Sequence, residues 1–330
     1  MFIDAHAHLD PNYFETGPDP VLQAAFEAGV EQLIVVGCGV ESSRFAVELA
    51  RAYPGRVFAA VGVHPHDVAK MRGGDFEAIA ALARAPEVVA VGETGLDYHY
   101  RHSPPEAQQE AFRRFIALAN EVDKPVVVHT REAEADTLEI LRRERPQAGV
   151  QLHCFTGSRA LAEGSLDLGA YISLSGVVTF NNAEALRAIA RDLPLERILV
   201  ETDCPYLTPA PFRGRQNTPS YVTVTAGRIA ALRGMAIEAF ARHAASNTRR
   251  LFRLPEAAQD EVLAFATGSE VYAAVHREDA DAVVKALKRW PRKKLRGVRL
   301  WTPEGSSTVA STMQAVRAWA QGEGLPCDGP

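Results

Sequence analysis

The sequence predicts an α/β protein, a (β/α)8 barrel of the TIM type with a small C-terminal α+β appendage of βαβα order. Three observations support this prediction. The chain has 330 residues, more than the roughly 250 of a barrel alone. Eight short apolar runs alternate with longer amphipathic stretches from residue 1 to about residue 255. Side chains able to bind metal follow several of these runs, and a barrel gathers the ends of its strands at one rim.

The apolar runs are typical of parallel strands that are buried on both faces. They are rich in Val and Ile, and they are continuous rather than alternating. The predicted strands are Phe2–His6, Gln32–Gly37, Val57–Val63, Val88–Glu93, Pro125–His129, Val150–Cys154, Ala170–Leu174 and Ile198–Glu201. Eight strands are the number that a closed barrel of this type needs.

The stretches between the runs have helical periodicity. Pro105–Val122 is one example, and Glu132–Arg145 is another, with Leu138, Ile140 and Leu141 on an apolar stripe. Strand, helix and strand repeated in this order predict right-handed parallel crossovers. An open doubly wound sheet is the structural alternative, and the absence of a GxGxxG motif after the first strand argues against it.

Residues 256–330 have a different pattern from residues 1–255, which predicts a separate small domain of unknown role. The pattern indicates helix or linker after Pro255, strands at Glu270–Val275 and Gly297–Trp301, and helices at Asp279–Trp290 and Ser307–Gln321. Between Lys285 and Trp301 there are eight basic residues and no acidic one. This basic stretch fits either a phosphate-binding surface or a solvated helix end with packed tryptophans.

Composition and charge exclude several classes of protein. Apolar residues make up 47% of the chain and charged residues 23%, as in ordinary globular proteins. No apolar run approaches the roughly 18 residues of a membrane span, and the N-terminus lacks the features of a signal peptide. We therefore expect a cytoplasmic protein without a membrane partner. The net charge of −5 means that any binding of nucleic acid must come from local patches.

The cysteines give no sign of a disulfide framework or a thiolate metal site. Cys38, Cys154, Cys204 and Cys327 are widely spaced and form no CxxC pair. Each lies in or beside an apolar segment, which predicts packing in the core.

A His-x-His pair ends the first predicted strand. His6 and His8 are two residues apart, so strand alternation places both imidazoles on one face. Such a pair could bind one divalent ion, although by itself it is as well explained by buried, hydrogen-bonded histidines. Further polar residues stand at the ends of later strands, namely Glu93, His129, His153 and Asp203. A charged Glu93 directly after an apolar run needs a metal or a cation as partner, so the set predicts a metal centre.

These residues carry a resemblance to the TatD family of metal-dependent deoxyribonucleases, within the amidohydrolase-like hydrolases. The segments that resemble the family's successive signatures are Phe2–Leu9, Gly92–Asp97, Lys124–Ala133, His153–Gly157, Glu201–Leu207 and Asn247–Phe252. They occur in family order across residues 1 to about 255, and the resemblance does not cover the appendage. Where many amidohydrolases have a carboxylated lysine, this chain has Glu93.

The resemblance implies two divalent ions. His6, His8, Glu93 and Asp203 would bind the first, while Glu93, His129 and His153 would bind the second. Two such ions would lower the pKa of a bound water and clamp the oxygens of a phosphodiester. Mg²⁺ and Mn²⁺ suit the carboxylates, and the histidines also suit Zn²⁺.

Some candidate residues are catalytic or lie beside the catalytic groups. Asp203 could bind an ion and take a proton from the water, with Glu93 as the bridging carboxylate. Glu201 could orient a ligand or contact metal, or it could be a structural carboxylate. By resemblance His64 would lie near the substrate, whereas His66 is equally well explained as a surface residue.

Other candidates could contact the substrate directly. Arg131 could neutralise a phosphate, or it could pair with Asp136 or Glu132. Tyr98, Phe155 and Tyr206 could stack on bases, or they could simply pack over the barrel mouth.

The resemblance implies hydrolysis of DNA, with removal of nucleotides from single-stranded 3′ ends. Two alternatives stay open from the residues alone. The same ions could act on an ester or amide, as in a D-aminoacyl-tRNA deacylase or another amidohydrolase-type enzyme. The barrel could also be a non-catalytic nucleic-acid-binding module stabilised by metal, but the complete ligand set argues against that function.

Overall fold

The computed structural model describes residues 2–256, 262–267, 270–275, 297–301, 317–318, 321–322 and 327–328. It divides into two compact units, Met1–Pro255 and Glu256–Pro330. Among the described residues, every helix is too short or too polar to cross a lipid bilayer.

The first unit is built on eight parallel strands whose order in the sheet follows the sequence. The strands are β1 Phe2–Ala7, β2 Val30–Val36, β3 Val57–Val61, β4 Val88–Asp97, β5 Val126–Arg131, β6 Val150–Leu152, β7 Tyr171–Leu174 and β8 Ile198–Val200. All eight predicted strands are confirmed, with ends that differ by a few residues. The largest difference is in β4, which continues four residues beyond Glu93.

Helices follow the strands around the sheet. They are α1 Pro18–Glu27, α2 Val40–Ala52, α3 Asp75–Leu82, α4 Pro105–Glu121, α5 Glu134–Glu144, α6 Arg159–Asp167, α7 Glu184–Asp192, α8 Val222–Leu232 and α9 Ile237–Phe252. The alternation of strand and helix makes a (β/α)8 barrel and excludes the doubly wound alternative. In α4, a proline stands at the first turn, where its missing N–H costs no helical bond, and Phe112, Phe115 and Ile116 are buried.

The sheet closes into a barrel through backbone bonds between the first strand and the segment after the last. The backbone N–H of Asp203 donates to the carbonyl of His6 at 2.9 Å, and the N–H of His8 donates to the carbonyl of Cys204 at 2.8 Å. Consequently, residues that follow β8 are placed beside the end of β1.

Two register shifts change which side chains point into the barrel. One lies in β1 between Asp4 and Ala7, and the other lies in β4 between Val91 and Thr94. An extra residue in a strand reverses the alternation beyond it and so re-aims side chains. In β4, Ala90 packs in the inner cluster, and the shift then allows Glu93 to face inward as well.

The core consists of two clusters. The larger one packs the outward sides of the strands against the helices and includes Phe112 and Phe115. The smaller one fills the barrel, with strand residues such as Ile34 and Leu199 packed against Phe252 of α9. Because each side chain is almost fully buried, removal of one such aromatic ring costs about 3–5 kcal/mol.

The second unit contains a four-stranded sheet with the order β12-β11-β10-β9. Its strands are β9 Val262–Thr267, β10 Glu270–Val275, β11 Gly297–Trp301 and β12 Cys327–Asp328. Strand β9 is antiparallel to β10, whereas β10, β11 and β12 are mutually parallel. The predicted strands β10 and β11 are confirmed. The prediction of helix or linker after Pro255 is wrong at β9, where pairing with β10 outweighs the helical tendency of Leu and Ala.

Several predictions for this unit fall on other positions. The helix at Asp279–Trp290 and basic positions 285–296 lie outside the described residues. So does most of the helix at Ser307–Gln321, of which residues 317–318 and 321 are described and helical.

Candidate metal centre

Six predicted ligands converge at the carboxyl rim of the barrel, around the side chain of Glu93. These ligands are His6 and His8 at the end of β1, Glu93 in β4, His129 in β5, His153 after β6 and Asp203 after β8. Glu93 is 2% exposed and His6 is fully buried. A buried carboxylate needs partners, and here they are histidine rings and the thiol of Cys38.

One oxygen of Glu93 faces the β1 histidines. Its Oε2 is 3.3 Å from His6 Nε2 and 3.7 Å from His8 Nε2. The Oδ1 of Asp203 closes the same group, 3.8 Å from His6 Nε2 and 3.4 Å from His8 Nε2. One ligand atom from each of His6, His8 and Asp203 falls within 4.8 Å of the others. These residues therefore could hold one cation.

The other oxygen of Glu93 faces histidines from later strands. Its Oε1 is 2.8 Å from His153 Nε2, 3.0 Å from His129 Nδ1 and 3.3 Å from His64 Nε2. His129 Nδ1 and His153 Nε2 are 3.3 Å apart. Glu93 consequently lies between two groups of nitrogen ligands, as a bridging carboxylate would.

In two histidines the outer ring nitrogen, which faces away from Glu93, has a hydrogen-bond partner. The inner nitrogen, which faces Glu93, is then free to bind a cation. His8 Nδ1 lies 3.0 Å from the carbonyl of Val36, and His129 Nε2 lies 3.1 Å from Oδ2 of Asp97. Both partners are acceptors, so the proton of each neutral ring is assigned to that outer nitrogen. The inner nitrogens then present lone pairs toward carboxylates, which is favourable only with a cation between them. The donor set therefore fits a divalent metal.

The carboxylates and histidines of the cluster shift one another's pKa values toward the charged forms. Burial by itself would raise the pKa of Glu93, but His153 and His64 hold it well below its usual range. Burial would likewise lower the pKa of His153, but the carboxylates of Glu93 and Glu201 raise it well above its ordinary value. Protons and metal ions compete for such nitrogens, so metal binding here is coupled to proton release.

Glu201 is fully buried behind His153. Its carboxylate accepts hydrogen bonds from Gln151 Nε2 at 3.0 Å, from Ser173 Oγ at 2.5 Å and from the backbone N–H of Cys154. Its Oε1 is 3.6 Å from His153 Nδ1. This geometry fits a residue that positions His153 better than one that contacts substrate.

His64 and His66 follow β3 at the same rim. The backbone N–H of His66 donates to His64 Nδ1 at 3.1 Å, which assigns the proton of neutral His64 to Nε2. Burial lowers the pKa of His64, so this ring is neutral near pH 7. His66 is not a free surface residue, since its Nε2 lies 2.9 Å from Asp97 Oδ2.

Two of the predicted substrate contacts, Arg131 and Tyr98, are held by neighbouring side chains. The guanidinium of Arg131 stacks on Tyr100 at 4.8 Å, while Asp136 and Glu132 bond to other side chains. The Tyr98 hydroxyl donates to Asp136 at 2.6 Å, so this tyrosine is anchored to α5.

The aromatic candidates after β6 and β8 differ in exposure. Phe155 is 2% exposed within the core, so it cannot stack on a base, and that expectation is corrected to core packing. Tyr206 is 51% exposed, and its ring centre lies 6.4 Å from that of His8.

Two residues at the centre were missed from the sequence. Asp97 is fully buried and contacts both His66 and His129. Its signal was available, because alternation along β4 places it on the face of Glu93. Cys38 was expected in the core, and that prediction is wrong, since its Sγ lies 3.7 Å from His8 Nδ1 and 3.8 Å from Glu93 Oε2.

Cys327, also expected in the core, has a side chain outside the described part of the structure, and the remaining two cysteines differ. Cys204 is buried in the core as predicted, whereas Cys154 is half-buried and its Sγ lies 3.3 Å from Ser175 Oγ.

Fold and site together define a class, the metal-dependent hydrolases built on a (β/α)8 barrel. A family model described as TatD related DNase matches residues 3–253. The chain is 42% identical over 255 residues to the uncharacterized metal-dependent hydrolase YabD of Bacillus subtilis, covering 77% of this chain and all of that relative. It therefore belongs to the TatD family of metal-dependent hydrolases.

Two further similarities extend the comparison. The chain is 37% identical to the 3′-5′ ssDNA/RNA exonuclease TatD of Salmonella typhimurium, with 76% of this chain and 98% of that protein covered. The crystal structure of YJJV, a TatD homolog from Escherichia coli, superposes with a TM-score of 0.73 at 33% identity and covers 77% of this chain and 98% of that one. These matches confirm the resemblance and the barrel fold.

Proposed function

We propose that this chain is a nuclease that hydrolyses phosphodiester bonds of DNA and removes nucleotides from single-stranded 3′ ends. The observation that carries the proposal is the buried Glu93 bridging two groups of histidines at the barrel mouth. The name of the Salmonella relative, at 37% identity, supports nucleic acid as substrate.

Two divalent ions are part of this proposal. His6, His8, Glu93 and Asp203 would hold one, and Glu93, His129 and His153 would hold the other. When bound, such ions polarise phosphoryl oxygens and lower the pKa of a coordinated water. Mg²⁺ and Mn²⁺ suit the carboxylates, and the four histidines also suit Zn²⁺.

Asp203 is the proton acceptor in this proposal. Burial by itself would raise its pKa, but His8 and His6 hold it below its usual value, so it is ionised near neutral pH. It is 9% exposed, which leaves part of its carboxylate open toward the mouth. An ionised carboxylate at that position can accept a proton from the attacking water.

His64 is the hydrogen-bond donor to the substrate in this proposal. Its Nε2 carries the proton of the neutral ring, and its side chain is 14% exposed at the rim. This Nε2–H lies 3.3 Å from Glu93 Oε1 and can donate to a phosphate oxygen that is placed beside Glu93, without adding a second positive charge. Asp97 and Glu201 act as positioning residues, because they contact His129 and His153 from behind.

The test uses 5′-labelled single-stranded DNA and protein that has been chelated and then reloaded with Mg²⁺, Mn²⁺ or Zn²⁺. Metal-dependent laddering from the 3′ end that disappears in Glu93→Ala and Asp203→Ala would support the proposal. Asp136→Asn is the matched control, since Asp136 lies at the same rim but bonds to Tyr98 and Gln109 rather than to a histidine. No cleavage with any ion would refute it and direct attention to aminoacyl esters and amides.

A further inference from the structure

We propose that two exposed aromatic groups, at opposite ends of the histidine cluster, stack on the unpaired bases on either side of the scissile bond. Tyr100 with His102 forms one group, and Tyr206 with Tyr13 forms the other. The inference rests on the proposed nuclease function and deepens it, because it specifies a single strand with two accessible bases as the substrate.

The first observation is exposure. Tyr100 is 52% exposed and Tyr206 is 51% exposed, and only one other large hydrophobic residue of the described part of the chain, Leu168, is comparably exposed. Large rings left in water at a binding cleft are a recurring feature of proteins that bind single strands. Both tyrosines lie in loops that follow the carboxyl ends of strands, β4 and β8 respectively.

The Tyr100 group consists of rings that pack beside His66. The rings of Tyr100 and His102 are parallel within 2°, with centres 5.6 Å apart. Tyr100 also packs edge to face on His66, at 5.4 Å, and carries the guanidinium of Arg131 at 4.8 Å. A planar guanidinium and an aromatic face are both suitable partners for a nucleobase.

The Tyr206 group lies beside His8. Its hydroxyl bonds to that of Tyr13 at 3.3 Å, and the two rings pack at 5.9 Å. The edge contact with His8, at 6.4 Å, places the group beside the β1 ligands. Arg213 and Arg215 are exposed in the same loop.

The contacts form a continuous line across the rim from one group to the other. In order, this line passes through Tyr206, His8, Glu93, His64, His66 and Tyr100. A strand that follows this line passes over Glu93 between the two stacking surfaces. Bases on the two sides of the scissile bond can therefore reach different groups when the strand is splayed across the mouth.

The charges at both ends of the line favour a polyanion. Within the described part of the chain, the guanidinium groups of Arg131, Arg213 and Arg215 form no salt bridge. Arg131 lies over Tyr100, whereas Arg213 and Arg215 lie over Phe180 and Phe212 in the loop region that also contains Tyr206. Arginines without a carboxylate partner attract the phosphates of a single strand, although the whole chain carries a net charge of −5.

The experiment measures kcat and KM on 5′-labelled oligothymidylate, and on the same oligonucleotide with one abasic nucleotide on either side of the terminal scissile bond. The variants are Tyr100→Leu and Tyr206→Leu, with Tyr100→Phe and Tyr206→Phe as conservative partners. Leu168→Ala is the control, since Leu168 is exposed but precedes β7 at the other end of the barrel.

We expect each leucine variant to lower kcat/KM by about 5- to 100-fold, mainly through KM, because this is the range of base stacking. The phenylalanine variants keep the ring and stay close to the wild type. On the abasic substrate that lacks its base, each leucine variant shows no further loss, since that interaction is already absent.

Two results overturn the inference alone: cleavage with unchanged KM in both leucine variants, or an equal loss on intact and abasic substrates. Absence of cleavage by the wild-type protein overturns the proposed function and the inference with it. The two failures are therefore distinguishable.

Discussion

Replacement of Asp97 by asparagine tests whether metal affinity depends on the residues behind the ligands. Asp97 Oδ2 accepts hydrogen bonds from His66 Nε2 at 2.9 Å and from His129 Nε2 at 3.1 Å, while Oδ1 accepts one from the Tyr100 backbone at 2.9 Å. An asparagine has one acceptor oxygen in place of two. Its amide N–H groups would face at least one of these donors, so at least one bond is lost.

The magnitude follows from the chemistry of the lost bond. A hydrogen bond to a charged group contributes about 1.5–3 kcal/mol. Whichever way the amide turns, His129 loses either its hydrogen bond or the negative charge of its acceptor. Metal affinity is therefore expected to decrease by about 10- to 100-fold, which is also the usual effect of replacing the partner of a metal-bound histidine. The backbone and the volume of the side chain are unchanged, so the barrel is expected to fold.

Metal affinity is measured by competition with a fluorescent chelator, and folding is checked by circular dichroism. Asp136→Asn provides the comparison, because it makes the same chemical change at the same rim without touching a histidine. The reasoning is refuted if Asp97→Asn binds metal as tightly as the wild type, or if both variants lose affinity equally.

Three further predictions concern the backbone, the charge of the site and the metal. Gly95→Ala should lower the free energy of unfolding, measured in urea, by about 3 kcal/mol or more, because the φ of Gly95 is 132° and a Cβ would lie 2.1 Å from a β5 carbonyl oxygen. The control Gly214→Ala, at φ 87° in open space, should lower it by only about 1–2 kcal/mol. Equal losses in the two variants would argue against the steric explanation. Glu201→Gln should lower the pKa of His153 in metal-free protein, since that carboxylate contributes to raising it, and an unchanged NMR titration would count against this role. Saturation with metal at about 100 times its Kd should stabilise the fold by about 2.7 kcal/mol and raise the melting temperature, whereas Glu93→Ala should show little response to chelator.

The fold could be predicted from the sequence because the eight parallel strands are buried on both faces. Such strands appear as continuous Val- and Ile-rich runs, and all eight were found. The strand β9 was missed for the opposite reason. Its Leu and Ala residues suit a helix as well as a strand, and only the antiparallel partner β10 decides between them.

The site could be predicted where a ligand directly follows an apolar run, as for His129 and Asp203. The predicted fourth strand ended at Glu93, so Asp97, which lies four residues further along β4 on the same face, was not included. In the structure, Gly92 and Gly95 allow this part of β4 to pass close to β5. Phe155 was misassigned because a position at the rim does not specify which way its ring turns, and here the ring packs into the core.

The junction between the two ends of the sheet determines when the metal centre can exist. His6 lies in the first strand and His8 directly after it. Asp203 is held beside them by backbone bonds between this part of the chain and the segment after the last strand, and by hydrogen bonds from Thr202 to Asp4. A nascent chain on the ribosome therefore lacks Asp203, the last of the candidate ligands that would lie beside His6 and His8, until most of the barrel has emerged. With the proposed ligands, metal loading would follow synthesis of the barrel, and a bound ion would hold together the first strand and the segment after the last strand.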